Sequence, residues 1–141
     1  QAKAAQIKSD YADVLSEAVF APVDYYEEVY VYSPISWPGA TVSDAGGTLA
    51  EVSADERDSN ATFLSVEQIG RIDDATVVLT DETVEGKPGE GAAALAKQPT
   101  YQALPAVKSG DAYGLRYFFA DRYQTGLESL NSFEATLQHL R

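Results

Sequence analysis

The run Ala75-Thr76-Val77-Val78-Leu79 constrains the fold most strongly, because it is almost unbroken in apolar character and is preceded by the turn pair Asp73-Asp74. A strand apolar at successive positions is buried on both faces, and sheets covered on both faces are built from parallel strands with helical crossovers. Two further β-propensity runs, residues 29–32 and 112–115, alternate with segments of helical period. Ile7, Tyr11, Val14, Leu15 and Ala18 recur at helical spacing, and the start of the chain carries no N-cap, so residues 1–20 read as the tail of a longer helix that Pro22 ends. Residues 23–28 then make the crossing to the first strand. A short helix runs through Val42 to Ala45 and is stopped by Gly46-Gly47, and residues 51–61 read as a polar surface loop.

Ser65 with Gln68 has the form of a capping box, opening a helix whose inner side is Val66, Ile69 and Ile72. Residues 80–91 form an acidic, glycine-containing loop, and a helix resumes at 92–97. A second box, Thr125 with Glu128, opens a closing helix with the stripe Leu127, Leu130, Phe133, Leu137 and Leu140. Strands alternating with helices predict an α/β three-layer sandwich: a mostly parallel central sheet with helices on both faces.

Length and charge narrow the function. At 141 residues the chain is one domain, large enough to bury roughly 70 % of its unfolded surface. Ten basic against 22 acidic residues give a net charge of −12, a field that repels phosphate backbones, so nucleic acid is not an expected partner. No stretch of 18 apolar residues spans a membrane. The absence of cysteine removes disulfides, thiolate metal sites and cysteine nucleophiles. There is no methionine and no signal-like segment, so the chain reads as beginning inside a longer protein.

The catalytic inventory is thin. His139, the one histidine, stands near the end of the closing helix, which leaves no Ser-His-Asp triad and no histidine zinc site. Gly86, Gly89 and Gly91 bracket Lys87-Pro88 and read as turn chemistry rather than a phosphate loop. Asp55, Glu56 and Asp58 lack the alternation of a calcium loop. No catalytic residue, metal or cofactor is expected. The aromatic residues say more. They cluster at Tyr25 to Trp37 and at Tyr113 to Tyr123, at the ends of the first and last expected strands, where open α/β sheets bind ligands. Tyr32, Ser36, Trp37, Arg116, Tyr117, Phe118 and Arg122 are the expected ligand-binding residues. Arginine among aromatics suits flat, polar or anionic ligands.

Several segments resemble the second lobe of siderophore and vitamin B12 substrate-binding proteins of ABC importers. They are Leu64-Ser65-Val66-Glu67-Gln68-Ile69, Asp73-Asp74-Ala75-Thr76-Val77-Val78-Leu79, and above all Tyr101-Gln102-Ala103-Leu104-Pro105-Ala106-Val107-Lys108-Ser109-Gly110-Asp111-Ala112-Tyr113. Asp44-Ala45-Gly46-Gly47 resembles the family's helix end, and residues 1–20 resemble the end of its interlobe helix. The likeness runs through the whole chain in order. It departs at the acidic 80–91 loop and at Tyr101, where relatives often carry tryptophan.

The resemblance implies that residues 1–141 are the C-terminal lobe of a two-lobed periplasmic-binding-protein fold, with the N-terminal lobe absent from this chain. It implies a non-enzymatic solute-binding component of an ABC importer, taking a ferric siderophore or similar iron chelate to a membrane permease. Hydroxamate, catecholate, haem and corrinoid ligands all stay open. It also implies a monomer outside the cytoplasm, in the periplasm or lipid-anchored at the outer face of the membrane, and matches Glu67 to a surface glutamate that docks on the permease. The alternative is a small α/β enzyme or sensor domain using the same strand-end cleft.

Overall fold

The sheet is organised by a long strand that the sequence conceals. In the computed structural model, which describes residues 2–119 and 123–141, Val19–Tyr26 form β1. The helical reading of residues 1–20 is corrected on two counts. Helix α1 (Ala2–Asp10) breaks at Tyr11, α2 (Ala12–Glu17) is short, and Val19 and Phe20 already belong to the sheet. Pro22 ends no helix. It stands where β1 changes partners, pairing through Val19 and Phe20 with β3 (Thr48–Leu49) and from Val23 onward with β2 (Glu28–Tyr32). A residue without an N–H is tolerated at such a break in a ladder. Glu27, at φ 64°, reverses the chain alone between the paired residues Tyr26 and Glu28.

On the other side of β1 lie β5 (Val77–Glu82) and β6 (Ala112–Arg116), both parallel to it, and β4 (Ala61–Leu64) completes the order β4-β2-β1-β5-β6. The sheet is therefore mostly parallel, with an antiparallel section at β1-β2-β4. Of the stretch expected as a loop at 51–61, the short helix α4 (Glu51–Ala54) takes the first four residues and β4 the last, Ala61, while 55–60 form the loop, and β5 takes in residues 80–82.

Alternation along the strands sorts side chains into two cores. Phe20, Val77, Leu79 and Leu115 face α1, α2, α3 (Trp37–Asp44) and α8 (Tyr123–Leu140), packing with Ile7, Leu15, Val42, Phe133 and Leu137. The Phe20 and Phe133 rings meet edge to face at 5.2 Å. Ala21, Val23, Val29, Val31 and Val78 face the opposite layer, which is α4, a 3-10 segment (Val66–Ile72), α5 (Glu90–Ala96), α6 (Pro99–Gln102) and α7 (Pro105–Lys108). Adjacent Val77 and Val78 thus serve opposite cores, as a strand covered on both faces requires.

Both capping boxes are corrected. Ser65 precedes the 3-10 segment without a side-chain capping bond, and Val66, Ile69 and Ile72 point inward at a spacing of three, the period of a 3-10 helix. Helix α8 begins at Tyr123, so Thr125 lies inside its first turn and not ahead of it. Pro99 and Pro105 open α6 and α7 at the first helical position, where a missing N–H costs nothing.

Candidate functional site

Strand β2 delivers Tyr32 to a turn tied down by short bonds. The Ser33 N–H donates to the Asn60 carbonyl at 2.8 Å, and the Ser36 hydroxyl donates to the Ser33 carbonyl at 2.7 Å. The same Ser36 oxygen accepts from the Gly39 N–H at 3.0 Å and so caps α3. Trp37 is the first residue of that helix and stands at its rim, 52 % exposed. From the other side, Tyr117 at φ 56° turns the chain after β6 back over the sheet. Phe118, only 1 % exposed, packs edge to face on Tyr32 with centroids 5.5 Å apart, and half-exposed Phe119 meets the same ring at 5.7 Å.

Tyr32, Ile35, Trp37, Asn60 and Phe119 border a recess of about 120 Å³. Tyr32 is 7 % exposed. Aromatic surface continues through Tyr30 to exposed Phe63, their rings 4.8 Å apart.

Two carboxylates stand on β1 and β5, one of them across from Tyr30. Asp24 on β1 lies opposite Tyr30 on β2, and Asp81 lies opposite Leu115 on β6. The β1–β5 ladder ends at Pro22 and Leu79, and the segment entering α5 comes in against the ends of both strands. The Gly89 N–H donates to the Asp81 carbonyl at 2.9 Å. A Cβ at Gly89 would lie 2.5 Å from the Asp81 carboxylate, and one at Gly91 only 1.9 Å from that of Asp24, so both glycines are needed for this approach. Burial pushes the Asp24 carboxyl up. It does the same to Asp81, which the Asp24 charge raises further. Burial first, then the charges of Asp24, Tyr30 and Asp81, raise the Tyr32 phenol well above its ordinary value, so it stays a hydrogen-bond donor. From β1 the chain goes to neighbours on one side, and from β5 to β6 on the other, so the gap between them is where an open α/β sheet binds ligands.

The residues singled out in the sequence fall into two places. Tyr32, Ser36 and Trp37 border the recess, with Phe118 behind Tyr32, although the Ser36 hydroxyl is committed to the turn. Arg116 and Tyr117 border a separate groove of about 550 Å³ between β6 and α8, together with Glu82, Ser132 and His139. Arg116 Nε holds Glu82 Oε2 at 2.9 Å, and its backbone N–H donates to the Ser132 hydroxyl. Arg122 lies outside the described residues. Sequence reasoning passed over Asn60, Asp24 and Asp81; the alternation that would have put Asp24 on the aromatic face is interrupted by Pro22. Glu67 is exposed on the 3-10 segment, in the helical layer across the sheet from the recess. Among the described residues no group of three acidic or histidine side chains is placed to hold a metal ion, and no helix is long and apolar enough to cross a membrane.

No family model matches the chain, and no curated protein matches it. Solved structures do. The siderophore periplasmic binding protein from the fuscachelin gene cluster of Thermobifida fusca superposes with a TM-score of 0.90 at 28 % identity, covering 98 % of this chain and 50 % of that one. A periplasmic binding protein component of a Fep/Fec-like ferrichrome ABC transporter from Bacillus subtilis shares the fold at 17 % identity and a TM-score of 0.74, over 96 % of this chain and 53 % of its own. FhuD2 from Staphylococcus aureus with bound ferrioxamine B gives 14 % identity and a TM-score of 0.76, over 97 % and 54 %. The chain spans about half the length of the structures it matches. It has the α/β fold of one lobe of the siderophore periplasmic binding proteins.

Proposed function

We propose that this chain is the C-terminal lobe of a solute-binding protein of an ABC importer, and that it captures a ferric siderophore or similar iron chelate without chemistry of its own. The observation that carries this reading is the likeness of the whole chain, at 28 % identity, to half of a siderophore periplasmic binding protein. The recess supports it. Aromatic faces at Tyr32, Trp37 and Phe119, with a buried phenol and the amide of Asn60, suit a large flat-sided chelate held by stacking and a few oriented polar contacts.

A recess this shallow covers one side of such a ligand, and the preceding lobe supplies the other. In this reading Trp37 and Tyr32 contact the chelate directly, and Phe118 holds Tyr32 in place. Arg116 and Tyr117 contribute from the neighbouring groove, and Arg122 is assigned to ligand contact on its place in the sequence alone. Ser36 acts through the turn that sets Trp37. The protein works outside the cytoplasm, in the periplasm or on a lipid anchor, as a monomer. It presents Glu67 to its permease on a surface remote from the ligand. The test is retention of coloured ferric siderophores by the two-lobed protein on ultrafiltration, with hydroxamate, catecholate, haem and corrinoid ligands side by side. Saturable retention of a ferric siderophore is expected. Retention of none of them refutes the proposal.

A further inference from the structure

We propose that the recess continues along the sheet as an aromatic subsite, built on Tyr30 and Phe63, that takes an aryl group of the ligand. This lobe then favours ferric chelates that carry aromatic rings over those with aliphatic arms. The inference rests on the chelate-binding reading above and deepens it by naming the class of chelate.

Three observations carry it. First, the rings form one connected series. Phe118 and Phe119 meet edge to face at 5.0 Å, and both meet the Tyr32 ring. Tyr32 lies 6.2 Å from Tyr30, and Tyr30 meets Phe63 at 4.8 Å. Tyr32 borders the recess as well, so a ligand seated there meets the series at its middle. Second, the strands explain why this surface is open. Tyr30 pairs with Phe63 across β2 and β4, on the face that carries Tyr32 and Ala61 into the first core. The elements packed on β2 and β4, which are α4 and the 3-10 segment, lie against the opposite face with Val29, Val31 and Leu64. Third, half-exposed rings gather here: Trp37 and Phe119 border the recess, and Phe63 is reached through Tyr30. Exposed apolar surface collected in this way marks a binding site. Its chemistry then selects the ligand. Aromatic rings attract one another through their quadrupoles beyond what apolar burial supplies, and an alkyl arm lacks that contribution. A site for aliphatic arms needs apolar area alone, which leucine or valine provides as well as phenylalanine. The preceding lobe is the competing occupant of Phe63, and the two are separable.

The test uses neutral iron complexes of one geometry. Acetohydroxamate, cyclohexanecarbohydroxamate and benzohydroxamate each form a neutral tris complex with ferric iron, and the complexes differ only in carrying methyl, cyclohexyl or phenyl groups around the same core. Titration of the two-lobed protein, in excess hydroxamate to keep the tris complex, should rank phenyl above cyclohexyl above methyl. The phenyl complex should bind roughly tenfold or more tighter than the methyl one and about threefold tighter than the cyclohexyl one. Cyclohexyl matches phenyl in bulk and apolar character, so the second ratio reports the ring itself. In Phe63→Leu, which keeps an apolar side chain at this exposed position, that ratio should fall to about one. Loss of a contact with the preceding lobe would instead weaken all three complexes alike. Circular dichroism of the variant checks that the fold is kept. Equal affinity for the phenyl and cyclohexyl complexes in the wild type, or an undiminished ratio in folded Phe63→Leu, overturns the aryl subsite and leaves the chelate reading standing. Binding of none of the three by a protein that retains a ferric siderophore on ultrafiltration overturns it equally. Retention of no siderophore removes the chelate reading with it.

Discussion

Replacing Gly39 by alanine should be among the most damaging of small changes, because of where the added carbon would go. An ideal Cβ at Gly39 falls 1.8 Å from the Ser33 carbonyl oxygen, about 1.6 Å short of the 3.4 Å at which ordinary contact begins. That oxygen belongs to backbone and cannot rotate away. It already accepts the Ser36 hydroxyl at 2.7 Å and the Ser36 N–H at 3.1 Å. To make room, α3 must lift from the β2 turn, which loosens the Ser36 cap and moves Trp37. Overpacking of this kind costs about 1–3 kcal/mol, and a lost cap adds about 1 kcal/mol. Alanine's better helix propensity returns about 1 kcal/mol. The net loss is about 1–3 kcal/mol, and at about 4 °C per kcal/mol for a domain of this size Tm falls by about 4–12 °C.

Gly70 is the control, because nothing lies within 4 Å of its ideal Cβ. Gly70→Ala should be neutral or stabilising by about 0.5–1 kcal/mol through the unfolded chain. The assay is urea unfolding of both variants followed by the emission of Trp37, the single tryptophan of the chain. Gly39→Ala should also shift that emission in the native baseline. A Gly39→Ala variant as stable as Gly70→Ala, with native emission unchanged, refutes the packing argument.

Phe118→Ala removes a fully buried ring that backs Tyr32 and should destabilise by about 3–5 kcal/mol in a denaturant titration. The raised carboxyls of Asp24 and Asp81 give a pH signature: the folded state holds these protons more tightly than the unfolded chain, so the stability they lend is complete below the ordinary value of 3.8 and is lost as pH rises through the folded value. Asp24→Asn or Asp81→Asn should therefore raise Tm at neutral pH, with a gain that disappears toward about pH 3; a gain that grows on acidification contradicts the assignment. Glu67→Arg should change stability by no more than about 0.5 kcal/mol and leave chelate affinity intact while lowering uptake by cells, and undiminished uptake returns Glu67 to the role of a surface residue.

How much of this was legible in the sequence depends on the residue. Ala75–Leu79 announced a doubly covered strand because local pattern and tertiary burial agree there, and Val77 and Val78 do divide between two cores. Pro22 misled, because the rule that it breaks helices carries no information about a strand that changes neighbours at that point. The same error hid Asp24 and the antiparallel hairpin. The spacing of Val66, Ile69 and Ile72 was legible in principle: strict threes fit a 3-10 segment better than an α-helix, and the serine before it suggested a cap that does not form. The aromatic character of the site could be read from composition along the chain. Its division could not, since it depends on Tyr117 turning at a positive φ and on Glu82 holding Arg116, and both are tertiary facts.

The most direct test of the account is a titration of the two-lobed protein with ferrioxamine B, in the wild type and with Trp37→Ala. Trp37 is half exposed at the rim of the recess, so its removal should leave the fold intact. The account predicts saturable binding of one chelate per protein, weakened at least tenfold by the substitution, on the order of 1.4 kcal/mol. Binding with the same affinity in both proteins would place the chelate somewhere other than on this face, and would contradict the claim that this recess forms half of the cleft.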